Sequence, residues 1–436
     1  MKGTLTHRGY ETEKNPELKK NLTVRPVENA MGIRPPSFKV YREDGNTLII
    51  PRYYGSPATQ DARVAPSHAH IDYKGTLREA TRQPEAFAAG LKAFETGGGV
   101  LSLFCGGGKT QVALALAGHL KVRTMVIVHK EFLAAQWTER IREMCPGSTV
   151  GRVQTERFEI ENDFVIAMIQ TLCVREHDPH AFDSIGLVIV DEAHHIGAPA
   201  FSQCMFKMCP KYTLGLTATP ERKDGLTKLL YWFMGPPFFT VERENQTHVK
   251  LMKLSFDCRE FREAPPCTRF GKVNLAGVVT TLTEIPDRNK MILETVENLR
   301  KENRKILILT DRREHCFWLV EHIKDSGLYI GQMKQEELDA SAEKPVIVAT
   351  FSLAHEGLDI PALDTVILST PHSDVKQAVG RIMRETKGKV NNPVIVDIVD
   401  NWSVCWSMYN KRLKMYQEAG FVEKPKTTVI PNKCLI

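Results

Sequence analysis

Val100-Leu101-Ser102-Leu103-Phe104 runs into Cys105-Gly106-Gly107-Gly108-Lys109-Thr110, and that into the apolar stretch Val112-Ala113-Leu114-Ala115-Leu116-Ala117. The order predicts a buried strand, a phosphate-type loop and a helix. Glycines let backbone N–H groups close around phosphate oxygens, Lys109 adds positive charge, and the Thr110 hydroxyl sits where it can ligate Mg²⁺ at a helix N-terminus whose dipole favours anions. A glycine-rich turn that holds no nucleotide is the plain alternative. Against it stands a second buried run, Val188-Ile189-Val190, which ends in Asp191-Glu192-Ala193-His194. In nucleotide hydrolases such a strand end holds Mg²⁺ through its first acid, here Asp191. Glu192 is then placed to polarise an attacking water.

Around this pair the chain keeps one rhythm. Strand-like runs recur at 124–128, 164–167, 187–190 and 212–216, with helical stretches between them, and the same alternation returns at 305–309, 345–349, 365–368 and 394–398. Alternation of this kind predicts α/β architecture with doubly wound parallel sheets. A length of 436 residues suits two or three cores. No apolar run approaches the roughly 20 residues that span a bilayer, and the N-terminus lacks the apolar segment of a secretory signal, so a soluble intracellular protein is expected, with no membrane partner. The ten cysteines show no metal-ligand spacing. A net charge of +6 is too mild to define a partner alone.

Taken together, Asp191-Glu192-Ala193-His194, Thr217-Ala218-Thr219-Pro220 and Gln377-Ala378-Val379-Gly380-Arg381-Ile382-Met383-Arg384 resemble, in order and spacing, motifs II, III and VI of superfamily-2 helicases of the DEAH type. The resemblance runs from about Leu77 to Asp400. It implies two RecA-like domains, ATP and Mg²⁺ as cofactors, and an ATP-driven helicase. Gln83 resembles the glutamine that reads adenine, although the residue before it is Arg82 where the family has an aromatic residue or histidine. Val126 to Lys130 with Gln136-Trp137 resembles motif Ia. Met168 to Leu172 and Thr310-Asp311-Arg312-Arg313 resemble the motifs that grip the tracked strand, which implicates Lys130, Thr171 and Thr310 in nucleic-acid contact; Trp137 reads better as core. Ala354 to Ile360 resembles motif V, with Asp359 near the nucleotide. The resemblance further implies Arg381 and Arg384 as arginine fingers, and His194, Thr217, Thr219 and Gln377 as residues coupling nucleotide state to domain closure.

Residues 1–74 are expected to form a β-rich N-terminal domain with a flexible arm, 75–245 the first RecA-like domain, 246–425 the second, and 426–436 a tail. Ser37 to Arg42, the turn residues Glu43-Asp44-Gly45-Asn46, and Thr47 to Ile50 predict a β-hairpin. With Arg52-Tyr53-Tyr54 it presents basic and aromatic residues, so Lys39, Arg42 and Arg52 are candidates for duplex DNA backbone contact; a β-domain that merely covers the first core is the alternative. Trp402, Cys405, Trp406, Tyr409, Leu413 and Tyr416 fall on one helical face, either stacking on bases or packing against the second domain, the better reading. The front end most resembles XPB-type and UvsW-type helicases and those of large nucleocytoplasmic DNA viruses, such as the poxvirus transcript-release helicase. The expected partner is duplex, branched or single-stranded DNA, with RNA or ATP-driven remodelling as alternatives, in viral transcription or DNA repair. A viral origin would place the protein in the host cell or virion.

Overall fold

The computed structural model describes residues 3–27, 35–55, 58–104, 106–193, 199–218, 225–241, 249–269, 271–356, 358, 360–383 and 389–422. The chain divides into two compact units, Met1–Glu242 and Arg243–Ile436. No helix among the described residues is long and apolar enough to cross a membrane.

The core of the first unit is an eight-stranded sheet in the order Arg157–Phe158, Val150–Gln154, Phe164–Met168, Thr124–Val128, Leu187–Val190, Tyr212–Thr217, Gly98–Leu103, Pro237–Val241. All neighbours are parallel except the first pair. The strands read as unbroken apolar runs because both faces are covered: Met125 and Ile127 enter one core, Val126 and Val128 the other. Parallel pairing also brings the carboxyl ends of Gly98–Leu103, Tyr212–Thr217, Leu187–Val190, Thr124–Val128 and Phe164–Met168 to one edge, where open α/β sheets bind ligands.

The second unit repeats the plan with six parallel strands, ordered Lys250–Phe256, Val394–Asp400, Thr365–Leu368, Ile306–Thr310, Val346–Thr350, Ser326–Tyr329. Buried ion pairs tie its layers: Arg288 to Asp400 at 2.7 Å and Arg412 to Asp397 at 2.7 Å, with the Tyr416 hydroxyl donating to Asp397 at 2.8 Å. The helix Ser403–Glu418 turns Cys405, Tyr409 and Tyr416 into the interior. Its stripe is packing surface. The edge strand Lys250–Phe256 lies in a region whose sequence shows little pattern, because an edge strand is half exposed and needs no continuous apolar run.

The N-terminal segment is part of the first unit and carries its own five-stranded sheet, ordered Arg42–Asp44, Thr47–Ile50, Gly9–Glu13, Thr4–Thr6, Gln60–Asp61. The expected hairpin forms between Arg42–Asp44 and Thr47–Ile50 across Gly45-Asn46, Gly45 taking a φ of +49°. Its first strand is shorter than the alternation suggests. Val40 and Tyr41 are consecutive and both buried, one in the core of the parallel sheet and the other in the small N-terminal core, so the chain breaks stride and Phe38–Lys39 pairs instead with Thr23–Val24. Arg52 to Gly55 form turns and do not extend the hairpin.

Candidate active site

Strand Gly98–Leu103 is wholly buried and leads, through the loop, into helix Lys109–Leu120. Gly106 and Gly108 adopt left-handed φ values of +87° and +85°, a conformation that costs glycine nothing. A side chain at Gly108 would also collide: its Cβ would lie 2.2 Å from Nε2 of Gln83. That nitrogen donates to the Gly107 carbonyl at 3.1 Å and to the Thr81 hydroxyl at 2.8 Å, while Oε1 accepts from the Arg78 amide at 2.9 Å. Gln83 is completely buried and braces the loop from behind. Arg82, in the position where the family has an aromatic residue or histidine, stacks its guanidinium 5.3 Å over the Phe239 ring. Lys109 extends Nζ to the Leu103 carbonyl, 3.2 Å away, and Thr110 follows it in the first helical turn.

Asp191 follows strand Leu187–Val190, whose side chains are all buried. Its carboxylate is held from two sides: Oδ2 accepts from the indole Nε1 of Trp137 at 3.0 Å, and Oδ1 from the Glu192 amide at 3.1 Å. Trp137 is 2% exposed, so the core residue of the sequence reading also orients an acid of the site, a role that its position midway along a buried helix face did not signal. Glu192 has a φ of +49°. A left-handed backbone at a residue other than glycine, aspartate or asparagine is strain of the kind that collects at functional positions. Thr217 ends its strand fully buried. These residues suit a Mg²⁺-nucleotide: a glycine loop with left-handed backbone at Gly106 and Gly108, a lysine where the loop enters its helix, and a carboxylate fixed in orientation at the end of the next strand but one. His194, Thr219, Asp359 and Arg384 lie outside the described residues.

The same edge continues into a polar ledge. Lys130 caps helix Glu131–Met144 and is exposed. Beside it, exposed Gln170 donates to the His129 carbonyl at 2.8 Å, which ties two strand ends together. Thr171 is half-buried and its hydroxyl accepts from the Thr155 amide at 3.3 Å.

Elsewhere the structure differs from the expectation. Arg42 donates to the carbonyls of Gln203 and Phe206 at 3.0 and 3.4 Å, and Arg52 to those of Pro210 and Lys211 at 2.8 and 2.9 Å. Their donors fasten the N-terminal sheet to the first core, helped by Tyr53, whose hydroxyl lies 2.7 Å from that of Thr213. Only Lys39 of that trio is exposed. In the second unit Thr310 is completely buried; its hydroxyl faces His315 Nδ1 at 3.0 Å and accepts from the Arg312 amide at 3.3 Å, so it shapes the strand end and does not present to solvent. Gln377 and Arg381 are half-buried on helix Lys376–Ile382.

The fold and this loop-and-acid constellation define a nucleotide-hydrolase architecture. Residues 76–222 match the family described as type III restriction enzyme, res subunit, and residues 287–386 the helicase conserved C-terminal domain. A protein of Acanthamoeba polyphaga mimivirus that bears the name ATP-dependent RNA helicase L396 is 33% identical over 429 residues, spanning 92% of this chain and 82% of its own. The protein named helicase 161L of Invertebrate iridescent virus 6 is 28% identical over 351 residues, 74% of this chain and 77% of its own. Among solved structures, the helicase domain of Pyrococcus furiosus Hef aligns with a TM-score of 0.50 at 17% identity, covering 76% of this chain and 97% of that one, a likeness of fold. The chain belongs to the superfamily-2 helicases.

Proposed function

We propose that this helicase hydrolyses ATP at the Gly106–Thr110 loop and the Asp191–Glu192 strand end, and uses the cycle to move along DNA and to unwind or remodel it. Bound Mg²⁺ would neutralise charge on the β- and γ-phosphates, with Thr110 and Asp191 as its protein partners. Lys109 leaves the Leu103 carbonyl to face the phosphates, and the loop amides hold them in place. Glu192 accepts hydrogen bonding from the attacking water. Asp191 keeps its orientation through Trp137 and Glu192. Arg381 and Arg384 serve the same step by adding positive charge, and Thr217, Thr219, His194, Gln377 and Asp359 relay the nucleotide state. Gln83 braces the loop through its carboxamide. Lys130, Thr171 and the adjoining Gln170 meet the sugar-phosphate backbone, which fixes register without reading sequence.

The observation that carries this reading is the common carboxyl-terminal strand edge, which gathers the glycine loop, Asp191-Glu192 and the Lys130–Thr171 ledge in one unit. DNA is favoured by the match to a restriction-enzyme subunit; RNA is the second reading, favoured by the name of the mimivirus relative. ATPase rates measured side by side with single-stranded DNA, duplex DNA, branched DNA and RNA test it. Stimulation by DNA, together with strand separation or translocation, is expected. Stimulation confined to RNA, with a dependence on the 2′-hydroxyl, would transfer the assignment.

A further inference from the structure

We infer that His7, His180 and Asp183 form a site for one divalent cation of the zinc class, which clasps the N-terminal sheet to the first parallel-sheet core. The three residues come from distant parts of the chain. His7 sits in the turn between strands Thr4–Thr6 and Gly9–Glu13, while His180 and Asp183 lie in the connection from helix Ile169–Val174 to strand Leu187–Val190. One ligating atom from each falls within 4.8 Å of the others. The two imidazole rings are 4.3 Å apart between centroids and tilted by 43°, and His180 Nδ1 lies 2.8 Å from Asp183 Oδ2.

His7 is the residue that asks for a ligand. Its Nε2 is shielded from solvent and has no hydrogen-bond partner, an unfavourable arrangement for a buried polar atom. The adjacent cations are already matched: Arg8 by Glu11 at 2.8 Å and Asp44 at 2.6 Å, and Arg63, which lines the same cleft, by Asp61 at 2.6 Å. Two imidazoles and a carboxylate suit Zn²⁺, or Co²⁺ in its place, whereas Ca²⁺ and Mg²⁺ prefer oxygen donors throughout. Bonds of about 2.0–2.2 Å around a tetrahedral ion set ligand atoms roughly 3.4 Å apart. Closing from the observed spread takes side-chain movement of about 1 Å, available to the exposed His180. The ion takes the place of the hydrogen bond between His180 and Asp183, the imidazole keeping its single proton on the nitrogen that does not ligate, and water completes the fourth position.

Calorimetric titration of the full-length, chelator-treated and reduced chain with Zn²⁺ tests the site, alongside Co²⁺ titration followed by its visible absorption. One ion per chain is expected, bound about tenfold or more weakly by His180→Ala and Asp183→Asn. His180 is exposed, so His180→Ala should leave the melting temperature without metal nearly unaltered, and Zn²⁺ should raise the melting temperature of the wild type only. Because the chain has ten cysteines, the Co²⁺ spectrum distinguishes histidine-carboxylate from thiolate ligation. Equal stoichiometry and affinity in wild type and variants, a thiolate spectrum, or no binding would each overturn the assignment.

Discussion

At the scale of single residues, the site depends on a few atoms whose freedom has been removed. Lys109→Ala should bring ATP turnover to background, and Glu192→Gln should still bind ATP while hydrolysing it orders of magnitude more slowly; single-turnover hydrolysis beside an equilibrium nucleotide-binding assay separates the two effects. Trp137 supplies a sharper test. Trp137→Phe retains an aromatic ring in the core and deletes the indole donor to Asp191 Oδ2. Outer-shell partners of this kind are worth about 10- to 100-fold in metal affinity or activity, so the Mg²⁺ concentration for half-maximal ATPase should rise by about tenfold. An unchanged Mg²⁺ dependence, with only the melting temperature lowered, would make the indole a space-filler.

At the scale of elements, the strand end Ile306–Thr310 is tied to the helix Arg313–His322 through a buried imidazole. Asn289 donates to the Thr283 carbonyl at 2.8 Å, which turns its Oδ1 toward His315 Nε2 at 3.1 Å. His315 therefore donates from Nε2 and accepts the Thr310 hydroxyl at Nδ1, and it does so as a neutral ring. Burial, with a smaller contribution from Arg288, lowers its pKa to about 3. An unfolded chain protonates histidine near pH 6.5. Between those values the unfolded state holds the extra proton, so the contribution is complete above about pH 6.5 and is lost toward pH 3 at about 1.4 kcal/mol per pH unit. Urea unfolding of wild type and His315→Gln at about pH 7 and about pH 4.5 should show the variant losing less stability in acid; parallel losses would remove His315 from the account.

At the scale of the whole molecule, the glycine loop and both acids lie in the first unit, and the motif VI arginines belong to the second. If hydrolysis uses both, Arg381→Ala should lower nucleic-acid-stimulated ATPase by about 10³-fold or more while ATP affinity stays within a few-fold of wild type. Retention of full activity would confine catalysis to the first unit. The N-terminal sheet calls for point substitutions, because Arg42, Arg52 and Tyr53 are structural fastenings and deleting residues 1–74 would bare the surface they cover. Lys39→Ala should instead weaken DNA binding modestly and reduce its salt dependence by about one counterion; identical salt slopes would leave the sheet a purely structural cover.

The sequence by itself determined the fold class and the strand ends that carry the proposed hydrolytic residues, because both follow from local order. Apolar runs long enough to be buried on two faces specify parallel strands, and a glycine loop or an acid pair at the end of such a run is carried to the ligand-binding edge. It could not determine what the same residue types do once folded. Arg42 and Arg52 read as nucleic-acid contacts because basic charge is visible in a sequence, but the carbonyls that take up their donors lie more than a hundred residues away. Thr310 occupies the strand end that its motif implies, yet it is buried and its hydroxyl turns inward to His315. Trp137 was legible as core, and its bond to Asp191 was not, since it depends on how helix Glu131–Met144 lies against strand Leu187–Val190. Only tertiary packing decides which polar atoms are left facing solvent.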